Sequence, residues 1–288
     1  VSNEPAILLR DVSLTYPGGS VPALDGVSLR VEAGEAVGIA GQNGSGKTTL
    51  AKLLNGLLRP THGSVVVRGQ DTARRSVQQM ASVVGFVFQN PNHQLFASSV
   101  AAELAYGPRA LGVEPTEVAR RIAEGLAAFG LTAHAQTHPH RLSPSLRKLV
   151  AIAAVEAMRP AIIVFDEPTT GQDHQTAAVI SRLIGRLRDG GSTVICVAHD
   201  MPLLAGLATR LVVMHEGRIL ADGRPREVFT DASVMARSRL RPPQVSRISL
   251  GVVGRAGQEG RLAALSVAEL ASELRATRRA PGVATEQG

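Results

Sequence analysis

At 288 residues and 30.2 kDa the chain is long enough to bury a sizeable core. With 44% hydrophobic and 19% charged residues it is excluded from the disordered class, and no apolar run reaches the ~18–20 residues a membrane span needs. The net charge of +7 would suit nucleic acid, but the basic residues are dispersed and aromatics make up only 3%, with no tryptophan. Stacking platforms are therefore scarce, and no nucleic acid is expected.

The chain opens without a charged-then-apolar signal segment, so any membrane role is expected to come through a partner. Residues 6–40 alternate and turn like antiparallel strands, with Ile7–Arg10, a Pro17-Gly18-Gly19 turn and Val27–Val31. Ala36–Ala40 is a short, wholly apolar strand, and Thr48 to Leu58 has helical spacing with Leu50, Leu53, Leu54 and Leu57 on one face. Strand signals return at Val65–Val67 and Val83–Phe88. From about 98 to 158 the pattern is helical. Strands follow at 161–165, 193–198 and 211–214, separated by a helix near 175–189.

Strands alternating with helices around an inserted helical block predict an α/β domain with a helical subdomain. That domain is expected to span 1–225, and a C-terminal extension 226–288. Arg224 to Arg247 is basic and Pro-interrupted, and Gly251, Gly254, Gly257 and Gly260 read as a flexible linker. Ser266–Glu269 has the form of a capping box opening a short final helix, with Leu262, Leu265, Leu270 and Leu274 as its apolar face and a frayed end from Ala280. The single cysteine, Cys196, excludes an internal disulfide and sits in an apolar run, where it reads as a small buried hydrophobe.

Gly41-Gln42-Asn43-Gly44-Ser45-Gly46-Lys47-Thr48 fits the phosphate-loop pattern G-x-x-x-x-G-K-[ST], between an apolar strand and a helix as that motif requires. Glycines let main-chain N–H groups turn around phosphate oxygens, and the helix N-terminus adds its positive dipole end. Lys47 would reach the β and γ phosphates of ATP, and the Thr48 hydroxyl would ligate Mg²⁺; Thr49 is placed beside it. Of 31 basic residues 28 are arginine, yet position 47 is lysine. A compact ammonium fits such a loop where a planar guanidinium does not.

The apolar run Ile162–Phe165 ends in Asp166-Glu167. Asp166 would hold Mg²⁺ through water and Glu167 would accept a proton from the attacking water, although an Asp-Glu pair before Pro168 could also begin a turn. His199 ends a second apolar strand. Its order in the chain favours a role at the γ-phosphate over that of a structural residue.

The ordered set of Tyr16, the 41–48 loop, Gln89, a signature segment at 142–146, Asp166-Glu167, Asp173 and His199 resembles the ABC ATPase family over residues 6 to about 225. The resemblance implies a P-loop NTPase core with an antiparallel β subdomain, an inserted helical subdomain, and a second ABC ATPase and membrane subunits as partners. It further implies that Tyr16 stacks on adenine, that Gln89 touches Mg²⁺ and the membrane partner, and that Asp173 lies in the loop crossing to the second ATPase. Phe88–Phe96, Gly223–Phe229 and Leu240–Gln244 resemble the ATPase subunits of energy-coupling factor importers, peripheral on the cytoplasmic face of the membrane. The rival readings are a non-transport ABC ATPase and a regulatory ATP-binding subunit.

One segment departs from the family. Its signature reads Leu-Ser-Gly-Gly-Gln, and this chain has Leu142-Ser143-Pro144-Ser145-Leu146. Proline offers no N–H to a phosphate and Ser145 adds a side chain where backbone must come close. Either the change is tolerated at a helix start, or the chain works in a heterodimer with unequal sites. Gln172 and His174, beside Asp173, also depart from the family's usual Leu and Pro. His134, His138 and His140 read as a solvated loop or a metal site, and Glu103 as a solvated helix charge or a partner for an arginine of the membrane subunit.

Overall fold

The computed structural model describes residues 4–255 and 263–279. In chain order they form β1 (Ile7–Leu14), β2 (Leu24–Val31), β3 (Ala36–Gly41), α1 (Lys47–Leu54), β4 (His62–Val67), β5 (Gln70–Asp71), α2 (Val77–Ala81), β6 (Val84–Val87), α3 (Val100–Ala110), α4 (Pro115–Ala128), α5 (Pro144–Ala157), β7 (Ile162–Asp166), α6 (His174–Asp189), β8 (Thr193–Val197), α7 (Met201–Leu207), β9 (Arg210–His215), β10 (Arg218–Gly223), α8 (Pro225–Thr230), α9 (Ala232–Ser238), α10 (Gln244–Arg255) and α11 (Val267–Arg279).

A four-stranded antiparallel sheet, β2-β1-β4-β5, stands beside a six-stranded sheet, β10-β9-β3-β8-β7-β6. In the larger sheet every pairing is parallel except β10 on β9. Strands β3, β6, β7 and β8 are buried at every position and almost wholly apolar because both faces are covered, whereas the edge strand β10 is partly exposed. Val37 and Ile39 of β3, Ile162 and Val164 of β7, and Ile195 and Val197 of β8 pack with α1 and the antiparallel sheet. Their neighbours Ala36, Ala40, Ile163, Phe165, Val194 and Cys196 face a second core with α5, α6 and α7. Cys196 is fully buried, and that burial pushes its thiol pKa up, as suits a small hydrophobe. Helices α3, α4 and α5 form the expected helical block.

β10 and α2 had no counterpart in the sequence reading, and α1 ends at Leu54, leaving Leu57 exposed. The larger correction is C-terminal. The Pro-interrupted stretch carries α8, α9 and the first turn of α10, because Pro225 sits in the first turn of α8, where a missing N–H costs nothing. Val228, Phe229 and Met235 belong to the main core, so the boundary placed at 225 is not a break in packing. Gly251 lies inside α10, where a glycine costs about 1 kcal/mol; Gly257 and Gly260 lie outside the described residues, as do Leu262 and the segment from Ala280. At α11, Glu269 N–H donates to Ser266 Oγ at 3.2 Å, while Glu269 Oε2 accepts from Leu265 N–H at 2.9 Å. Leu270 is buried and Leu274 exposed.

α5 holds a misfit that makes a testable case. Glu156 faces a cavity of about 290 Å³ with Arg121 and Arg159, and its Oε2 is buried without a hydrogen-bond partner. Burial raises its pKa against the pull of Arg186 and Arg159. A carboxyl that the fold prefers protonated loses stability as pH rises from its unfolded pKa through its folded one. Glu156→Leu is therefore expected to gain about 1–2 kcal/mol at neutral pH in urea unfolding, a gain that fades below the ordinary carboxylate range.

Candidate nucleotide site

The site begins where β3 gives way to α1. Gly46 caps α1 with φ 98° and no side-chain hydrogen bond, so nothing from the cap residue occupies the first-turn amides. A Cβ on Gly46 would lie 2.6 Å from Ala23 O, and one on Gly41 would lie 2.4 Å from Ser45 Oγ. Both positions need glycine for space, as the motif predicts. The loop closes on itself through Ser45 N–H to Gln42 O at 3.1 Å. Lys47 is buried, and its Nζ donates to Gly41 O at 2.8 Å and Gln42 O at 2.9 Å. Burial lowers its pKa, opposed by the charges of Glu167 and Asp166.

β7 runs parallel to β8, so Asp166 and Glu167 come out beside His199 at the same sheet end. Thr48 Oγ1 donates to Asp166 Oδ1 at 3.1 Å, joining the phosphate loop to the strand end. Asp166 is buried, and burial raises its pKa, with the Thr48 hydrogen bond opposing. Glu167 adopts φ 50°, a left-handed conformation rare for a side-chain-bearing residue, and its N–H donates to Val197 O at 2.8 Å. Such strain persists only where surrounding contacts over-determine it. Here they do: Glu167 Oε2 accepts from Thr170 Oγ1 at 2.9 Å and lies 2.7 Å from His199 Nδ1. Because a carboxylate only accepts, the ring nitrogen facing it is the one carrying hydrogen.

Tyr16, Asn43, Gly44, Gly46, Lys47, Thr48, Thr49, Gln89, Glu167, Thr170 and His199 line one open cleft of about 420 Å³. Tyr16 stands at its mouth, its hydroxyl 3.0 Å from Thr49 Oγ1. The oxygen-rich set of Thr48, Gln89 and Asp166 suits a hard cation such as Mg²⁺. Burial without a full set of donors makes Asp166 a group that a cation would favour ionised.

The remaining expected residues lie elsewhere. Ser143 caps α5, accepting from Leu146 N–H at 3.3 Å, with Pro144 at the first helical position. Ser145 Oγ donates to Asp173 Oδ2 at 3.0 Å. Asp173 caps α6, and the Thr176 N–H and hydroxyl hold its carboxyl at about 2. Glu103 is not a solvated helix charge: it is buried, and its Oε2 accepts from Phe96 N–H at 3.0 Å and Ala97 N–H at 2.8 Å, so it braces its own loop. The histidine loop is internally occupied: His140 N–H donates to His138 Nδ1 at 3.3 Å, and His140 Nε2 lies 3.3 Å from Leu95 O. Among the described residues no group of His, Cys, Asp and Glu is placed to hold a metal by itself.

Two site residues were missed. Thr170 has no motif signal beyond its place after the carboxylates. Lys148 had one: it is one of only three lysines against 28 arginines, the same imbalance that marked Lys47. Its side chain is wholly buried behind the cleft, where burial lowers its pKa to about 8 against the charges of Asp166 and Glu167.

A phosphate loop, a strand-end carboxylate pair and a histidine at one end of the parallel strands β3, β7 and β8 define a nucleoside-triphosphate-binding α/β domain. A family model described as ABC transporter matches residues 24–170. The chain is 42% identical to an energy-coupling factor transporter ATP-binding protein, EcfA, of Methanothermobacter thermautotrophicus, over 83% of this chain and 78% of that protein. Among solved structures, cbiO1 of Clostridium perfringens, described as part of the ABC transporter complex cbiONQ, matches with a TM-score of 0.72 at 28% identity, covering 89% of this chain and 100% of the other. The ATP-binding cassette MJ0796, in a dimeric post-hydrolysis state bound to ADP and Pi, matches with a TM-score of 0.69 at 28% identity, covering 76% of this chain and 99% of the other. The chain belongs to the ABC transporter family, as one of its ATP-hydrolysing subunits. Among the described residues no helix is long and apolar enough to cross a membrane.

Proposed function

We propose that this chain hydrolyses ATP to drive an importer of the energy-coupling factor type, docked on integral membrane subunits at the cytoplasmic face and paired with a second ABC ATPase. The observation that carries it is the convergence of Lys47, the Thr48–Asp166 pair and the Glu167–His199 pair on one cleft. The 42% identity to an energy-coupling factor ATPase supports the importer class.

In this reading the loop amides and Lys47 bind the β and γ phosphates, and Tyr16 stacks on the base. Thr48, Asp166 and Gln89 would hold Mg²⁺, which when bound would neutralise charge on the phosphates. Glu167 takes the proton of the attacking water, and His199 orients that carboxylate through Nδ1 and stands beside the γ-phosphate.

The pair is unequal. The 143–145 segment acts on the partner's site, where Pro144 has no N–H to donate and the Ser145 hydroxyl already serves Asp173. Losing one donor to a phosphate costs about 1.5–3 kcal/mol, roughly ten- to hundred-fold. Two copies of this chain would therefore close poorly, whereas a partner with glycines at those positions would complete the site built here. Purified alone, the chain is expected to turn over ATP at least about tenfold more slowly than with such a partner. Strong turnover by the homodimer would contradict the unequal pair.

A further inference from the structure

The first two turns of α5 hold the glutamine loop at several points. Lys148 Nζ donates to Phe88 O and to Gln89 O, both at 2.9 Å. One residue earlier, Arg147 Nη1 donates to Asn92 Oδ1 at 2.8 Å. From the loop's side, Gln94 Nε2 donates to Ala151 O at 2.8 Å, and Gln94 Oε1 accepts from Phe88 N–H at 3.4 Å.

Lys148 is the costly member of this set. It has 0% exposure, and a buried ammonium is unfavourable unless its charge and its hydrogens are answered. A methionine or leucine would fill the same space without that cost. What the ammonium adds is a grip on two consecutive carbonyls, and these flank the residue whose side chain lines the nucleotide cleft. The same helix begins with Ser143–Ser145, and Ser145 holds Asp173. One rigid element thus carries the segment that serves the partner's site and the anchor of the loop that serves this chain's own.

We propose that Lys148 is a positioning residue that clamps the Phe88–Gln89 backbone to α5, so that Gln89 is presented to the cleft only in step with the signature helix. The inference rests on the ATPase reading above, and deepens it by naming what sets the glutamine's place.

The test compares the wild-type chain with K148M, which keeps the volume and loses the donors, and K148Q, which keeps an amide that can donate twice. Hydrogen–deuterium exchange over residues 88–95, MgATP affinity, and kcat and KM in the same preparation are the readouts. For K148M, loop amides are expected to exchange about tenfold faster and kcat to fall about tenfold, with ATP affinity within about threefold of wild type. K148Q should restore at least about a third of the lost kcat and slow the loop again. Unchanged exchange and kcat in K148M, or K148Q no better than K148M, would overturn the clamp. If K148M does not fold, K148Q decides: loop protection within about threefold of wild type supports the clamp, and its complete loss overturns it. A wild-type chain that bound no MgATP would sink the ATPase reading separately, while the exchange comparison would still judge the clamp.

Discussion

Glu167→Gln is expected to lower ATP turnover by about a hundredfold or more while leaving ATP bound, because it removes the proposed general base and little else. Glutamine has the volume and reach of glutamate, so the left-handed turn at φ 50° and the Glu167 N–H bond to Val197 O can persist. The change falls on the side-chain oxygen that accepts from Thr170 and faces His199 Nδ1. An amide there accepts more weakly and cannot take a proton. Phosphate release in the presence of the partner ATPase, with labelled-nucleotide binding alongside, separates the two effects. A variant with wild-type turnover would remove Glu167 from the chemistry.

Lys47→Ala is the second large effect. The ammonium sits among the Gly41 and Gln42 carbonyls, at the helix end where phosphates are expected. Losing one charge-assisted contact costs about 1.5–3 kcal/mol, which is roughly ten- to hundred-fold in MgATP affinity. The folded chain should not suffer in proportion, since burial disfavours that charge and alanine removes it. Affinity and melting temperature measured together distinguish this from general damage: affinity falls and the melting temperature holds. Equal losses in both would point to unfolding instead.

The parts of the site that could be read from sequence are those whose constraint is local. A phosphate loop is a run of eight residues in which glycine is needed for space, as the close approaches at Gly41 and Gly46 show. Asp166-Glu167 announces itself because a buried strand is apolar to its end and the next residues are not. His199 follows the same rule on β8, and parallel pairing of β7 with β8 brings the two ends together.

What could not be read depends on contacts between distant residues. Glu103 looks like any charge on a helix surface until the chain folds back to place the Phe96 and Ala97 N–H groups on its carboxylate. Lys148 lies 60 residues from Phe88 in sequence, and nothing near it says that two carbonyls will meet its ammonium. The C-terminal helices were obscured for a different reason. Prolines weigh against a helix on average, yet at a first turn, as at Pro225, they are compatible with one.

The most direct measurement is an equilibrium titration of the unaltered chain with ATP and magnesium, followed by phosphate release once a second ABC ATPase is added. Saturable binding that requires magnesium, with phosphate release rising at least about tenfold on pairing, is the predicted result. A chain that ignores ATP at millimolar concentration, or binds it equally well without the Gly41–Thr48 loop intact, would contradict the account.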